Sequence, residues 1–214
     1  MKYDNIEKLT KDVLSCKDCD LHLNRTQVVP GIYGKKKSVC FIGEAPGFNE
    51  DKEGLPFVGR SGKLLDKMLT SIGLSRKEIS ILNIVKCRPI DEKGGNRTPT
   101  PKEANFCGQK WLFNQIHLLE PKILVSLGAI SFNFFFPSLS LTNNIGKTLQ
   151  TASGNSLFVT YHPAYILRRP TPDLLEKYSK HFEIIATTND LKKETKDYPL
   201  QPKRIEQKRI SDFF

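Results

Sequence analysis

Four cysteines have the spacing of a metal site. Cys16 and Cys19 form a C-x-x-C pair, and Cys87 and Cys107 follow much farther along the chain. Four thiolates can complete a tetrahedral zinc site or bind the four irons of a 4Fe–4S cluster. Structural zinc sites commonly use a second close pair, which this sequence lacks, so the spacing favours a cluster but leaves zinc and unligated thiols open. Cys40 lies within an apolar segment and is interpreted as a small buried hydrophobic residue.

Other side chains capable of chemistry stand in loops or at the ends of predicted strands, namely Glu44, Phe57, Asn83 and His162. An aromatic ring can stack on a ligand or pack in a core, and an asparagine can recognise a ligand or satisfy a turn. A histidine can stabilise a developing negative charge or serve structure alone. Residue types leave both interpretations open at these positions. The remaining histidines, which belong to no motif and are expected to be structural, are His22, His117 and His181.

The composition is that of a globular chain with a large positive charge. The chain has 214 residues, 38% of them hydrophobic, and a formal net charge of +10. No apolar run approaches the roughly 20 residues that span a bilayer, and the polar N-terminus lacks a secretory signal, so a cytoplasmic protein is expected. The charge favours a polyanionic partner such as nucleic acid, although it can also serve solubility. Five cysteines in an intracellular chain argue against a disulfide framework.

Alternating strands and helices must position these side chains. Strands are predicted at residues 38–43, 81–85, 123–127 and 157–160. Helices are predicted at about 62–72, at 101–119 and after Gly128. This alternation predicts a three-layer α/β/α fold with a central, mainly parallel four-stranded sheet. In such folds, ligands bind in the loops beyond the carboxyl ends of the strands.

Two helices carry clear local signals. An N-terminal amphipathic helix that ends at Cys16 is predicted to present an apolar face made of Ile6, Leu9, Val13 and Leu14. The 101–119 helix begins with Thr100 as N-cap, Pro101 in the first turn and Glu103 completing a capping box.

Five segments, together with the four cysteines, carry a family resemblance. They are GEAPG (43–47), LPFVGRSGKLLD (55–66), LNIVKCRP (82–89), NRTPTPKE (96–103) and YHPAYILRRP (161–170). This ordered set resembles the family 4 uracil-DNA glycosylases, the iron–sulfur branch of their superfamily, over about residues 6–182. The resemblance implies a uracil-DNA glycosylase-like fold and a 4Fe–4S cluster ligated by Cys16, Cys19, Cys87 and Cys107. The loop 90–96 is longer than in the family, which should alter its shape more than ligation.

The resemblance also implies a reaction. Uracil would be flipped out of DNA and its N-glycosidic bond hydrolysed, leaving an abasic site in base excision repair. Phe57 matches the aromatic residue that stacks on the base, and Asn83 matches the asparagine that reads uracil. His162 matches the histidine that donates to uracil O2 and stabilises the departing anion. No lysine is placed to form a Schiff base, so a monofunctional hydrolase without lyase activity is expected.

The motif GEAPG contributes further residues to the expected pocket. By resemblance, Gly43, Glu44 and Gly47 line it, and Glu44 is counted among the catalytic residues with His162 and Asn83. Ala45 stands where well-studied relatives carry the aspartate that orients the attacking water. Glu50 matches a carboxylate that shields the C5 side of the base and excludes thymine, with a solvated acidic loop as the alternative.

The motif YHPAYILRRP also suggests how DNA is held. An exposed apolar tip, Ile166 and Leu167, would fill the gap left by the flipped base, and Arg168 and Arg169 would contact flanking phosphates. The alternative is an amphipathic helix that packs Ile166 and Leu167 inward.

The C-terminal segment differs in composition from the domain, which is expected to span residues 1–189. Residues 190–206 are predicted to be a disordered basic linker. Residues 207–214 resemble the peptide that binds the sliding clamp PCNA, with contacts from Gln207, Ile210, Phe213 and Phe214. This tail on a family 4 enzyme suggests an archaeal source.

The sequence therefore predicts a monomeric repair glycosylase with uracil-containing DNA and a sliding clamp as partners. Two rivals stay open: a catalytically silent iron–sulfur protein of the same fold that binds DNA, and a zinc-bearing nucleic-acid-binding module.

Overall fold

A five-stranded sheet forms the centre of the computed structural model, which describes residues 3–34 and 38–187. The strands are β1 (Val39–Gly43), β2 (Ser80–Asn83), β3 (Ile123–Leu127), β4 (Thr148–Gln150) and β5 (Ser156–Thr160). Their order is β2-β1-β3-β5-β4. All neighbouring pairs are parallel except β4 and β5. The mainly parallel α/β fold is confirmed, but the predicted strand number of four was wrong, because β4 is a short edge strand with mostly exposed side chains.

Nine α-helices surround the sheet within the described residues. They are α1 (Ile6–Leu14), α2 (Leu21–Asn24), α3 (Phe48–Glu53), α4 (Arg60–Ser71), α5 (Pro101–Cys107), α6 (Phe113–Leu119), α7 (Ala129–Phe135), α8 (Pro163–Arg168) and α9 (Pro172–Thr187). None of the helices in this part of the chain is both long and apolar enough to cross a membrane.

The strands bury both of their faces. Along β1, Cys40 and Ile42 belong to one hydrophobic cluster, whereas Val39 and Phe41 belong to the other. This alternation follows from the two-residue period of a strand. The first cluster is completed by residues of α1, α5, α6 and α7, and the second by residues of α4, α8 and α9. Helices therefore cover both faces, and Cys40 is fully buried, as predicted.

The predicted start of the 101–119 helix is confirmed, but the extent of this helix and the buried face of α1 need correction. Thr100 Oγ1 accepts from Glu103 N at 3.2 Å, and Glu103 Oε2 accepts from Thr100 N at 2.7 Å, which completes the capping box. The helix that follows is not continuous, since a π-helical turn at Gly108–Leu112 separates α5 from α6. In α1, Leu9 and Val13 are buried, but Leu14 is 51% exposed and does not belong to the buried face.

Candidate functional site

A cavity of about 340 Å³ opens beyond the carboxyl ends of β1, β2 and β5. Small-molecule pockets span roughly 300–1,000 Å³, so this one suits a small ligand. The predicted pocket residues that line it are Glu44, Gly47, Glu50, Phe57, Asn83 and His162. Residues remote in the sequence are thus brought together at one edge of the sheet.

Gly43 and Asn83 lie side by side at the ends of β1 and β2, and Asn83 lines the cavity whereas Gly43 lies next to it without lining it. They are paired between β1 and β2. A Cβ on Gly43 would lie 2.4 Å from Asn83 Oδ1 and 2.7 Å from two ring carbons of Phe57. Real Cβ atoms essentially never make such short contacts. A side chain at position 43 would therefore collide with both residues.

The side chain of Asn83 is an unused acceptor. The residue is 3% exposed, and its buried Oδ1 has no hydrogen-bond partner within the described part of the chain. Leaving a buried polar atom unpaired costs roughly 1–3 kcal/mol. An acceptor kept at this cost beside a cavity is suited to a ligand that brings its own N–H donor.

The Asn83 main chain is held by a residue that sequence reasoning missed. Lys86 is fully buried, and its Nζ donates to the Asn83 carbonyl oxygen. Burial lowers the pKa of Lys86 to about 8. The available signal was a lysine within the otherwise apolar run LNIVKC, since a charged side chain is rarely buried without a partner.

Phe57 has an unusual backbone conformation that the side chain of Arg76 supports. Its φ is +55°, in the left-handed region that larger side chains avoid. Arg76 Nη1 donates to the Pro56 carbonyl at 2.8 Å, and Arg76 Nη2 donates to the Phe57 carbonyl. Arg76 Nε is also paired with Asp66 Oδ1 at 2.6 Å. This second missed cation therefore fixes the turn from which the Phe57 ring faces the cavity.

His162 is held as a neutral hydrogen-bond donor. It caps α8, and its Nδ1 accepts from the Ala164 amide at 3.1 Å. Burial and, to a smaller extent, the charge of Arg168 together lower the pKa of His162 to about 4, although Glu50 opposes them. With Nδ1 as acceptor, the single ring proton of the neutral form resides on Nε2. The ring lies 5.9 Å from that of Phe57, measured between centroids.

The two carboxylates that line the cavity have different environments. Glu50 Oε2 accepts from Gly47 N at 3.1 Å, and its Oε1 accepts from Val58 N and Gly59 N at 2.9 Å each. Glu50 thus ties the start of α3 to the loop before α4, rather than lying in a solvated acidic loop. Burial raises the pKa of Glu44, and a hydrogen bond with Thr98 opposes this shift.

The predicted apolar wedge is wrong for Ile166. Its side chain is fully buried in the cluster formed with α4 and α9, and Leu167 packs partly against the same cluster. The reason is that the helix beginning at Pro163 turns position 166 toward the core. Arg168 and Arg169 are exposed, as phosphate contacts require, and the Arg169 guanidinium lies 5.6 Å from the Tyr165 ring.

The four predicted ligand cysteines line one narrow cavity. Arg25 and Lys86 line it too, and Arg25 Nη1 donates to Cys87 Sγ at 2.9 Å. Across residues 3–34 and 38–187, no group of three or more His, Cys, Asp or Glu side chains is arranged to hold a metal ion. Thiolates of a 4Fe–4S cluster bind separate irons and need not converge on one point. The four thiols therefore share one cavity with two cationic side chains, which suit an anionic thiolate site.

The predicted clamp-binding residues, Gln207, Ile210, Phe213 and Phe214, lie outside the residues that the structure describes, as does the linker before them.

Comparison with known proteins agrees with this geometry. Residues 30–186 match the model of the uracil DNA glycosylase superfamily. A type-4 uracil-DNA glycosylase of Archaeoglobus fulgidus is 38% identical over 191 residues, which cover 86% of this chain and 92% of the relative. The type-4 uracil-DNA glycosylase of Thermotoga maritima is 41% identical, covering 79% and 86% of the two chains. That of Sulfurisphaera tokodaii is also 41% identical, covering 91% and 90%.

These similarities extend over nearly all of the described domain and include the segments that form the cavity. The chain therefore belongs to the uracil-DNA glycosylase superfamily and, within it, to the type-4 uracil-DNA glycosylases.

Proposed function

We propose that this chain removes uracil from DNA by hydrolysing the N-glycosidic bond, leaving an abasic site. The observation that carries the proposal is the unpaired, buried Oδ1 of Asn83 in a cavity shared with Phe57 and His162. The base must leave the duplex stack to reach such a cavity.

Asn83 and Phe57 would recognise the base. The N3 atom of uracil carries a proton that Asn83 Oδ1 can accept, whereas N3 of cytosine is itself an acceptor and would leave Oδ1 unpaired. A site with a buried polar group rejects ligands that fail to pair with it. The Phe57 ring, fixed by the Arg76 clamp, supplies a flat apolar surface for the pyrimidine.

His162 would stabilise the departing base. As the glycosidic bond breaks, negative charge develops on uracil O2, and the Nε2 proton of His162 is available to donate to it. One such donor contributes roughly 2.7–4 kcal/mol in comparable anion-stabilising sites. The Ala164 amide keeps this proton on Nε2 throughout, because Nδ1 is occupied as an acceptor.

We assign the orientation of the attacking water to Glu44. Ala45 offers no carboxylate, and that of Glu50 is already bound by three backbone amides. The raised pKa of Glu44 brings it closer to neutral pH, which favours proton acceptance from water. Arg168 and Arg169 would contact phosphates of the bound strand.

We infer that Cys16, Cys19, Cys87 and Cys107 hold a 4Fe–4S cluster. When bound, the cluster supplies structural bracing between the α1–α2 segment and α5. The anionic cluster would face the cationic side chains of Arg25 and Lys86. Broad visible absorbance that is lost in Cys87→Ser would support a cluster, and a colourless protein containing zinc would refute it.

The decisive test of the enzymatic proposal is incubation with a uracil-containing oligonucleotide followed by alkali. The wild-type enzyme is expected to give strand scission on the uracil oligonucleotide. It should give none on matched oligonucleotides that carry cytosine or thymine instead. His162→Ala should lower the rate with little loss of DNA binding. Binding without any scission would instead support the rival, a silent DNA-binding protein of the same fold.

We also propose that the C-terminal residues bind a sliding clamp. The support is the pattern Gln207, Ile210, Phe213 and Phe214, which places an anchor residue and two aromatic rings at the spacing of a helical turn. Deletion of residues 207–214 should abolish association with PCNA and leave activity on free oligonucleotides intact. Undiminished clamp binding would contradict the assignment.

A further inference from the structure

Phe48 is an exposed aromatic residue at the cavity, and the proposed base recognition does not use it. It is the first residue of α3, it lines the cavity, and it is 60% exposed. Single exposed apolar residues are common and need no explanation by themselves. The surroundings of Phe48, however, hold the ring in one place.

A fixed guanidinium lies against one face of the ring. The Arg88 Cζ atom is 5.1 Å from the Phe48 ring centroid. Arg88 is itself buried. Its guanidinium is held in place because Nε donates to Asn96 Oδ1 at 2.6 Å and Nη2 donates to the Gly94 carbonyl at 2.9 Å. Contact between a cation and an aromatic face is attractive, so Arg88 supports the ring from behind. Much of the Phe48 ring surface stays open to solvent.

The surrounding surface suits a DNA strand. Arg60 lines the same cavity and is exposed, which places a cation near the ring for a backbone phosphate. Of the two apolar residues that were expected to meet the bases, Ile166 is fully buried, and Leu167 is half-buried and does not line the cavity. Among the described residues that line the cavity, Phe48 therefore offers the exposed apolar surface that the buried Ile166 cannot.

We propose that Phe48 is a stacking platform for a nucleobase next to the flipped uracil. The inference rests on the proposed function, because it takes DNA to be the ligand of the neighbouring cavity. A base stacked on the open side of the ring would complete a layered arrangement of Arg88, Phe48 and base. Stacking of a base on an aromatic side chain contributes roughly 1–3 kcal/mol per base and tolerates any sequence.

The test measures binding to an oligonucleotide that contains a C-glycoside analogue of deoxyuridine, which cannot be hydrolysed at that bond. Fluorescence anisotropy gives the Kd of wild type, Phe48→Trp and Phe48→Ala. We expect Phe48→Ala to raise the Kd about 5- to 150-fold and Phe48→Trp to stay close to wild type. Leu139→Ala is the matched control, since Leu139 is 45% exposed and does not line the cavity.

A second set of oligonucleotides identifies the contact. Replacing the base on one side of the analogue by an abasic linker, first 5′ and then 3′, removes the stacking partner. On one of the two, wild type and Phe48→Ala should bind equally well. The proposal is overturned if Phe48→Ala binds within twofold of wild type on the intact strand, or if its defect persists on both abasic strands.

Failure of the platform and failure of the proposed function can be told apart. The anisotropy measurement reads binding alone, and excision by the wild type is measured in parallel on a natural uracil strand. A wild type that binds but does not excise would refute the proposed function and leave the platform test valid.

Discussion

The protonation state of His162 can be changed by pH alone, which makes it the sharpest test of the proposed site. Burial and the charge of Arg168 lower its pKa to about 4. At pH 5.5 such an imidazole is about 97% neutral, whereas one with the ordinary pKa of 6.5 is about 9% neutral. Protonation would place a hydrogen on Nδ1 and break its bond from the Ala164 amide. The part of the excision rate that depends on His162 should therefore stay level from pH 7.5 to 5.5, whereas an ordinary histidine would lose about tenfold.

The same shift predicts a change in stability. Because the pKa of His162 is lower in the folded chain than in the unfolded one, the unfolded chain binds the extra proton between pH 6.5 and 4. The contribution of the neutral His162 to the free energy of unfolding is fully present above pH 6.5 and is lost as the pH falls through about 4. The total loss is about 3 kcal/mol.

The rate assay uses single-turnover excision with enzyme in excess, at constant ionic strength from pH 5 to 8. His162→Asn should be slower at every pH and should lack any dependence that belongs to the imidazole. Glu44→Gln separates the titration of Glu44, whose pKa burial raises. The assignment of a neutral imidazole would be refuted if the excision rate fell tenfold between pH 7.5 and 5.5 in both wild type and Glu44→Gln but not in His162→Asn.

Three further predictions concern packing at and behind the cavity. Gly43→Ala places a methyl group about 1 Å too close to Asn83. Misplacement of that size costs on the order of 100-fold in kcat. An unchanged kcat would contradict the close packing of Gly43 against Asn83. Arg76→Ala should lower kcat/KM about tenfold by releasing the Phe57 turn. Arg76→Lys should recover only part of this, since lysine lacks a guanidinium fork, and full recovery would argue against the clamp. Ile166→Ala should lower the free energy of unfolding by about 2–5 kcal/mol in urea denaturation and leave DNA affinity unchanged. A loss of DNA affinity with unchanged stability would instead support direct contact between Ile166 and DNA.

The main strands and the place of the cavity were predictable because their signals are local. β1 and β3 are buried on both faces, so they form nearly continuous apolar runs in the sequence, interrupted in β3 by Ser126. Parallel strands end at the same edge of the sheet, which brought Asn83 and His162 into one expected site. The strand β4 has no such signal, because it is three residues long and pairs only at the edge.

The less predictable features depend on contacts between distant residues. The sequence near Gly108 carries no local signal for the π-helical turn. Gly108 instead packs closely on a residue distant in the sequence, since a Cβ there would lie 2.4 Å from the Phe134 ring. The inward direction of Ile166 depends on where α8 begins and on which helices cover it. Arg76 acts on main-chain carbonyls from a polar stretch of sequence, so it resembles an ordinary surface cation, whereas the apolar neighbours of Lys86 signal its burial but not the carbonyl that it binds.

The segment from Asn83 to Cys87 borders two cavities. Asn83 borders the base cavity, and Cys87 borders the thiol cavity, with only Ile84, Val85 and Lys86 between them. Oxidation that displaced the Cys87 sulfur would shift Asn83 through this short covalent link. Under the proposed role of Asn83, oxidation of Cys87 would weaken discrimination between pyrimidines even in a molecule whose helices and sheet were intact.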